Sequence, residues 1–305
     1  MMRITNAQIT AMMHNSMNTN SAELGKLMQQ MATGQRIMVP SDDPIASVRI
    51  LRVEREQSAL EQYNKNIANV SGSLSTQEIN LNSTSDAMLS VRDLLLWASN
   101  GSNTGEDLAS IAGELSVLES TIFSFANARD EEGRYLFSGT LSDTPAITYD
   151  DATQTYSMTG NDKPRQAAVA NGVLVEENVT IRAIYGNNAD ILNQLHELIA
   201  TMRTPGIQSS DPVLQQRLSD MIDELDAGHG RLAGTITELG GRQNALSLLK
   251  ESNEDVSLVN QKIAGELSEL DYAAATIDLN NYQLALSATQ KTYLKINDMS
   301  LFNLL

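Results

Sequence analysis

Proton-transfer or metal chemistry in this chain would have to begin at its three histidines, His14, His196 and His229. None lies four residues from another, no His-Glu-x-x-His occurs, and the only acid beside one of them in sequence is Glu197, next to His196. Each is therefore expected to be a satisfied or solvent-facing side chain rather than a ligand or a base. There is no Cys, which removes disulfides, thiolate nucleophiles and Cys-ligated metals. Ser, Thr and Lys remain as nucleophiles, but no Gly-x-Ser-x-Gly elbow or placed base activates one. Gly228-His229-Gly230-Arg231-Leu232-Ala233-Gly234 has the glycines of a phosphate loop without the following Lys-Ser/Thr or a preceding strand. The adjacent carboxylates Asp42-Asp43 read as a helix cap before Pro44, and Asp150-Asp151 as a polar turn. Neither pair follows a calcium-loop pattern. No catalytic, cofactor-binding or metal-ligating residue is assigned.

Charge narrows the partners. The 305 residues include 38 acidic and 21 basic ones, a formal net charge of −17, so nucleic acid is disfavoured. The densest basic stretch, Arg49, Arg52 and Arg55, is offset by Glu54 and Glu56. Hydrophobic residues at 41% and charged residues at 19% suit a folded chain. By the prior of roughly 150 residues per domain, two domains are expected. No run approaches the roughly 18 to 20 uninterrupted apolar residues of a membrane span, so no membrane partner is expected. The amino end lacks a secretory signal, which predicts cytoplasmic residence unless an export system reads an unfolded amino end.

The elements that must position these residues are mapped by proline. All six prolines lie at positions 40, 44, 145, 164, 205 and 212, leaving two long Pro-free arms around a punctuated middle. Asp43-Pro44 and Asp211-Pro212 read as helix starts, and Thr104-Gly105-Glu106-Asp107 as a third. Ile45, Val48, Arg52, Glu56, Leu60, Ile67, Val70 and Leu74 recur at helical spacing. A short helix is expected from Asp190 to Arg203. In the middle, Ile147-Thr148-Tyr149, Thr155–Met158 and Val179–Arg182 alternate like strands, and Asn171-Gly172 between two apolar triplets is a hairpin signal. The predicted fold is mainly α with a β-rich insert, a long antiparallel helical hairpin or bundle with mobile terminal coiled-coil segments. Its expected segments are 1–40, 41–134, 135–186 (the insert), 187–270 and 271–305.

Both ends carry seams. Ile9, Met13, Met17, Asn20, Leu24, Leu27 and Met31 follow an alternation of three and four residues, as do Val256, Val259, Ile263, Leu267, Leu270, Ala274, Ile277, Asn281, Leu284 and Ala288. Residues 1–33 carry only Arg3, Glu23 and Lys26 as charges, so such a helix is marginal without a partner. Met299–Leu305, including Leu301 and Phe302, ends the chain in mostly apolar residues, as an interface does. The seams fit pairing within one chain and pairing between copies equally well. The candidate assembly residues are Met13, Met17, Leu24, Leu27, Met31, Ile263, Leu267, Leu270, Ile277, Leu284, Leu301 and Phe302. Residues before about Thr33 and after about Ile277 are expected to become helical only on assembly.

Several stretches are familiar. Met31-Ala32-Thr33-Gly34-Gln35-Arg36-Ile37 followed by Pro40-Ser41-Asp42-Asp43-Pro44 resembles the amino-terminal signature of the flagellin superfamily. Its Pro-Ser-Asp-Asp-Pro form is similar to that of hook-associated members rather than filament flagellins. Gly133–Gly139, Leu239-Gly240-Gly241-Arg242-Gln243-Asn244, Asp271-Tyr272-Ala273 and Leu301–Leu305 resemble further stretches of the same superfamily. The likeness covers roughly residues 2–140 and 190–305, leaving the insert unmatched. It implies a structural, non-enzymatic subunit at the hook–filament junction of the bacterial flagellum, exported through the flagellar type III apparatus and located outside the cell. The partners it implies are hook-associated protein 1, flagellin, further copies of the same subunit in a ring, and an export chaperone. A minor flagellin is the alternative within the superfamily, and an enzyme housed in residues 135–186 the alternative outside it.

Overall fold

The computed structural model describes residues 6–302, and the side chains of residues 8–296. The elements run α1 (Asn6–Thr33), α2 (Pro44–Ala98), α3 (Gly105–Ala126), β1 (Ile147–Asp150), β2 (Thr155–Met158), β3 (Gln166–Ala170), β4 (Val173–Glu176), α4 (Arg182–Tyr185), α5 (Asp190–Met202), α6 (Pro212–Ser268) and α7 (Tyr272–Phe302). The fold is mainly α with a β-rich insert. Contacts divide it into two compact units, residues 1–59 with 255–305, and residues 60–254.

The helix starts follow local chemistry. The Asp43 carboxylate accepts from the Ala46 N–H at 3.0 Å and Asp211 from the Val213 N–H at 2.8 Å, each satisfying an orphan donor at a Pro-initiated helix. Thr104 and Asp107 form a reciprocal capping box at the start of α3.

In the second unit, α2 and α6 run antiparallel. Asn64 meets Asn253, Glu78 meets Gln243, Arg92 meets Asp226 and Ser99 meets Gln215, so numbers fall on one helix as they rise on the other. Between them lies a seven-residue repeat: Leu60, Ile67, Leu74, Leu81, Met88 and Leu95 on α2, Leu218, Leu225, Leu232, Leu239 and Leu246 on α6, all buried. Gln77, Thr84 and Asn253 are polar residues buried along these helices at the same spacing. Gln77 is fully buried and satisfied, donating to Ser73 and to the Glu177 carbonyl and accepting from the Val179 N–H at 2.9 Å. α3 is long and apolar enough to cross a bilayer by length and composition alone. Here it buries Leu108, Ile111, Leu115 and Ile122 and packs on α5. Gly228 on α6 admits α5, since a Cβ there would stand 2.5 Å from Ile191 Cδ1.

The insert holds two separate antiparallel hairpins, β1–β2 and β3–β4, rather than one sheet. Asn171-Gly172 makes the second turn, with Gly172 at φ +73° and Ala170 facing Val173. Asp150 closes the first, accepting from the Ala152 N–H and the Thr153 hydroxyl. Two expectations are corrected. Val179–Arg182 is not a strand: Val179 and Ile181 are buried, but the Val179 N–H goes to a side chain and α4 begins at Arg182. On α2 the inward phase is Ala46, Val53, Gln57 and Leu60, so Ile45 and Val48 face solvent.

Leu74→Ala is expected to destabilise the second unit by about 3 kcal/mol through the cavity it leaves. Ile45→Ala, at a position 78% exposed, should change stability by no more than about 0.5 kcal/mol. Urea unfolding followed by circular dichroism separates the two.

Candidate assembly interface

The first unit is built from α1, the two ends of α2 and α6 nearest the connectors, and α7. Its distribution of apolar residues differs from that of the second. The contiguous buried cluster falls entirely within residues 67–246, whereas in the first unit Leu27, Ala46 and Ala275 are the hydrophobic residues that become buried among the described ones. Along α6, the inward positions here are Ser257, Asn260 and Ala264, and Gln57 on α2 donates to the Ser257 hydroxyl at 2.8 Å. The Asn260 side chain is buried with its amide nitrogen unpaired. Val256, Leu258 and Val259 point outward, Leu258 being 67% exposed. The seam that is leucine in the second unit is thus polar and small in the first, and the apolar stripe faces solvent.

The terminal helices show the same division. α1 packs against α7. Ile9, Met13, Met17, Leu24 and Met31 are half-buried and Leu27 is buried in that contact, so the amino-terminal seam is used within the subunit. On α7 the covered positions are Ala275, Leu279, Tyr282, Leu286, Tyr293 and Ile296, a second repeat of four and three residues that the sequence reading passed over. His14 and Tyr293 make an edge-on ring contact at 5.0 Å. The other α7 stripe is left outside, with Ile277 62% and Leu284 69% exposed. Ile263 is also exposed, and Leu267 and Leu270 are half-buried at the connector. The side chains of Leu301 and Phe302 lie outside the described residues. Among the described residues α1 and α7 are helical and packed together, α7 carrying two apolar stripes of which α1 occupies one.

Below these helices the two connectors are tied together. The Arg36 N–H donates to the Ser268 carbonyl at 2.7 Å and the Leu270 N–H to the Gly34 carbonyl at 3.0 Å, a short antiparallel bridge. The Arg36 guanidinium reaches the Leu267 carbonyl at 2.9 Å and the Asp43 carboxylate at 3.1 Å, and the Tyr272 hydroxyl donates to the Met31 carbonyl at 3.0 Å. Gly34 has φ +72°, and a Cβ there would stand 3.3 Å from the Tyr272 oxygen. Asp42 takes the Lys26 ammonium at 2.7 Å and accepts from the Met38 and Val39 N–H groups. The bond from Lys26, with those two N–H groups, holds its carboxyl at about 2. The Ala46 N–H and then the Arg36 guanidinium likewise hold Asp43 below the usual carboxylate range. In this way Gly34 is bound into one clasp with Asp42 and Asp43 of the Pro40-Ser41-Asp42-Asp43-Pro44 motif; Pro44 begins α2, while Pro40 and Ser41 are exposed.

The structure also gives two histidines partners that sequence spacing did not reveal, both in the second unit. His196 Nδ1 lies 2.9 Å from the buried Glu119 carboxylate, beside Tyr149 and Tyr156. His229 Nε2 lies 2.9 Å from the Ser85 hydroxyl. The second pair has the reach of a base and a nucleophile, and it bridges α2 and α6. Arg231 and Gly234, at the supposed phosphate loop, are mid-helix. Among the described residues no group of three His, Cys, Asp or Glu could hold a metal ion.

Residues 4–142 match the bacterial flagellin N-terminal helical region. The flagellar hook-associated protein 3 of Salmonella typhimurium is 27% identical over 99% of both chains. A solved structure of a Vibrio parahaemolyticus protein described as flagellar hook-associated is 37% identical, with a TM-score of 0.68, and is covered completely by 75% of this chain. The flagellar junction protein of Legionella pneumophila, 16% identical, shares the fold with a TM-score of 0.60 over 72% of this chain and all of its own. In sequence, the flagellins of Serratia marcescens and Treponema pallidum match over 43% and 46% of the chain. With its seam helices, its clasped connectors and its match across the whole Vibrio protein, the chain belongs to the hook-associated proteins of the flagellin superfamily.

Proposed function

We propose that this protein is a structural junction subunit of the flagellum, which joins the hook, through hook-associated protein 1, to the flagellin filament by packing against further copies of itself. The single observation that carries this reading is the reversed polarity of the first unit. A lone subunit leaves Ile45, Val48, Leu258, Val259, Ile277 and Leu284 in water. Burying one such side chain at an interface is worth about 2 kcal/mol, so a few per copy suffice to drive association. The full-length likeness to hook-associated protein 3 supports the junction over a minor flagellin. Export through the flagellar type III apparatus, with a chaperone holding the seam helices beforehand, fits helices that draw their stability from packing. No catalytic step is proposed: His196 is held by the buried Glu119 and His229 by Ser85.

Deletion of the gene should leave hooks without filaments while flagellin accumulates in the medium, scored by electron microscopy; filaments of normal length on the deletion strain would overturn the junction reading. Leu284→Asp should leave the circular dichroism of the monomer unchanged and abolish assembly, whereas Leu279→Asp should first cost α1 and α7 their mutual packing; sedimentation and circular dichroism distinguish the two.

The clasp yields a pH prediction. Because the folded carboxyl of Asp42 lies below its ordinary value of 3.8, its contribution is present above that value and is lost as pH falls towards about 2. Carboxyl-detected NMR should find the Asp42 midpoint near about 2, and Lys26→Met should move it up towards 3.8.

A further inference from the structure

We propose that Asn171-Gly172, at the tip of the β3–β4 hairpin, is a self-modifying site at which the Asn171 amide is converted by water to aspartate or isoaspartate. The reaction needs no enzyme. The Gly172 backbone nitrogen bonds to Asn171 Cγ, the Cγ–Nδ2 bond breaks, and Nδ2 departs as ammonia with the proton from the Gly172 amide. Water then opens one of the two bonds that join the Gly172 nitrogen to the carbonyl carbons of the resulting five-membered imide. Opening at Cγ restores the ordinary backbone as aspartate, and opening at the Asn171 backbone carbonyl leaves the main chain running through Cβ and Cγ as isoaspartate.

Three observations favour this position. Asn171 and Gly172 are both exposed in a two-residue turn. Gly172 has φ +73° and open space where a Cβ would stand, so no side chain on the attacking residue or its surroundings crowds its nitrogen. The Asn171 side chain makes no hydrogen bond to another described residue, leaving Cγ free to swing towards the following nitrogen.

The sequence supplies its own contrast. Asn100-Gly101 is the same dipeptide, also exposed, between α2 and α3. There the Asn100 side-chain oxygen accepts from both the N–H and the hydroxyl of Ser102, at 3.2 and 2.9 Å, and the Ser209 hydroxyl holds the Gly101 carbonyl at 2.9 Å. Identical local chemistry is pinned at one site and free at the other.

The two products act differently on the hairpin. Asp-Gly suits a two-residue turn as Asn-Gly does, so aspartate keeps the Ala170–Val173 closure and adds one negative charge. Isoaspartate inserts an extra backbone atom and breaks that closure. The hairpin then loosens its hold on the long helices, where Asn66 donates to the Ala168 carbonyl at 2.7 Å and Asn253 to the Val169 carbonyl at 3.2 Å.

The test is ageing of the purified full-length protein in mildly alkaline buffer, followed by digestion, mass spectrometry of the peptides holding residues 100 and 171, and labelling with isoaspartyl methyltransferase. Conversion at Asn171 is expected to outpace that at Asn100 several-fold in the folded protein, and the two rates should converge in urea, where the Ser102 and Ser209 bonds are lost. Asn171→Gln, which cannot close the same ring readily, should remove the isoaspartate signal from that peptide while leaving the circular dichroism intact. Equal rates at both sites in the folded protein, or a ratio unchanged by urea, would overturn the proposal.

Discussion

A helix of fifty residues does not hold itself up in water; side-chain packing along a repeat of seven decides where it is stable. In residues 60–254 that repeat is filled by leucine, isoleucine and methionine, and everything else in the unit is arranged around it. α3 and α5 cover one flank, Gly228 lets α5 approach, and Gln77 takes the backbone groups of the segment that returns from the insert. Outside those residues the same geometry continues with different occupants. Gln57, Ser257 and Asn260 sit where leucine would be expected, and the valines and isoleucines move to the other side. One pattern therefore closes a leucine seam in one stretch, while in the other polar residues line the inside and apolar ones face outward.

Burial alone calls for the polar pairs inside the second unit. A carboxylate as enclosed as Glu119 requires a partner, and His196 supplies one from α5. Ser85 and His229 satisfy each other across two helices. What these contacts accomplish is to fix one helix against another in a single register.

Features set by neighbours in sequence were legible from sequence. Asp43 before Pro44, Thr104 with Asp107, and Asn171-Gly172 each act through bonds spanning a few residues, and the structure places them as their local chemistry requires. Phase was harder to read. On α7 the stripes through Ile277 and through Leu279 share one spacing, and only the position of α1 decides which is covered. Val256, Val259 and Ile263 formed an acceptable seam on paper because hydrophobicity does not say whose surface will meet it. The alternation at Val179–Ile181 records burial against the long helices, which looks like a strand when the bond to Gln77 is unknown. The clasp was invisible for a different reason: its central bonds join backbone atoms of segments far apart in sequence, and no spacing rule encodes them.

That distance has a kinetic meaning. The Tyr272 hydroxyl reaches Met31 across 241 residues, and α1 packs on α7. A polypeptide that emerges amino end first must hold α1 without this partner until α7 has been made, and residues 60–254, with contacts of their own, lie between the two. The entropy of closing so long a loop falls on the α1–α7 contact and not on the leucine seam, so the seam is the part of the molecule able to form without it.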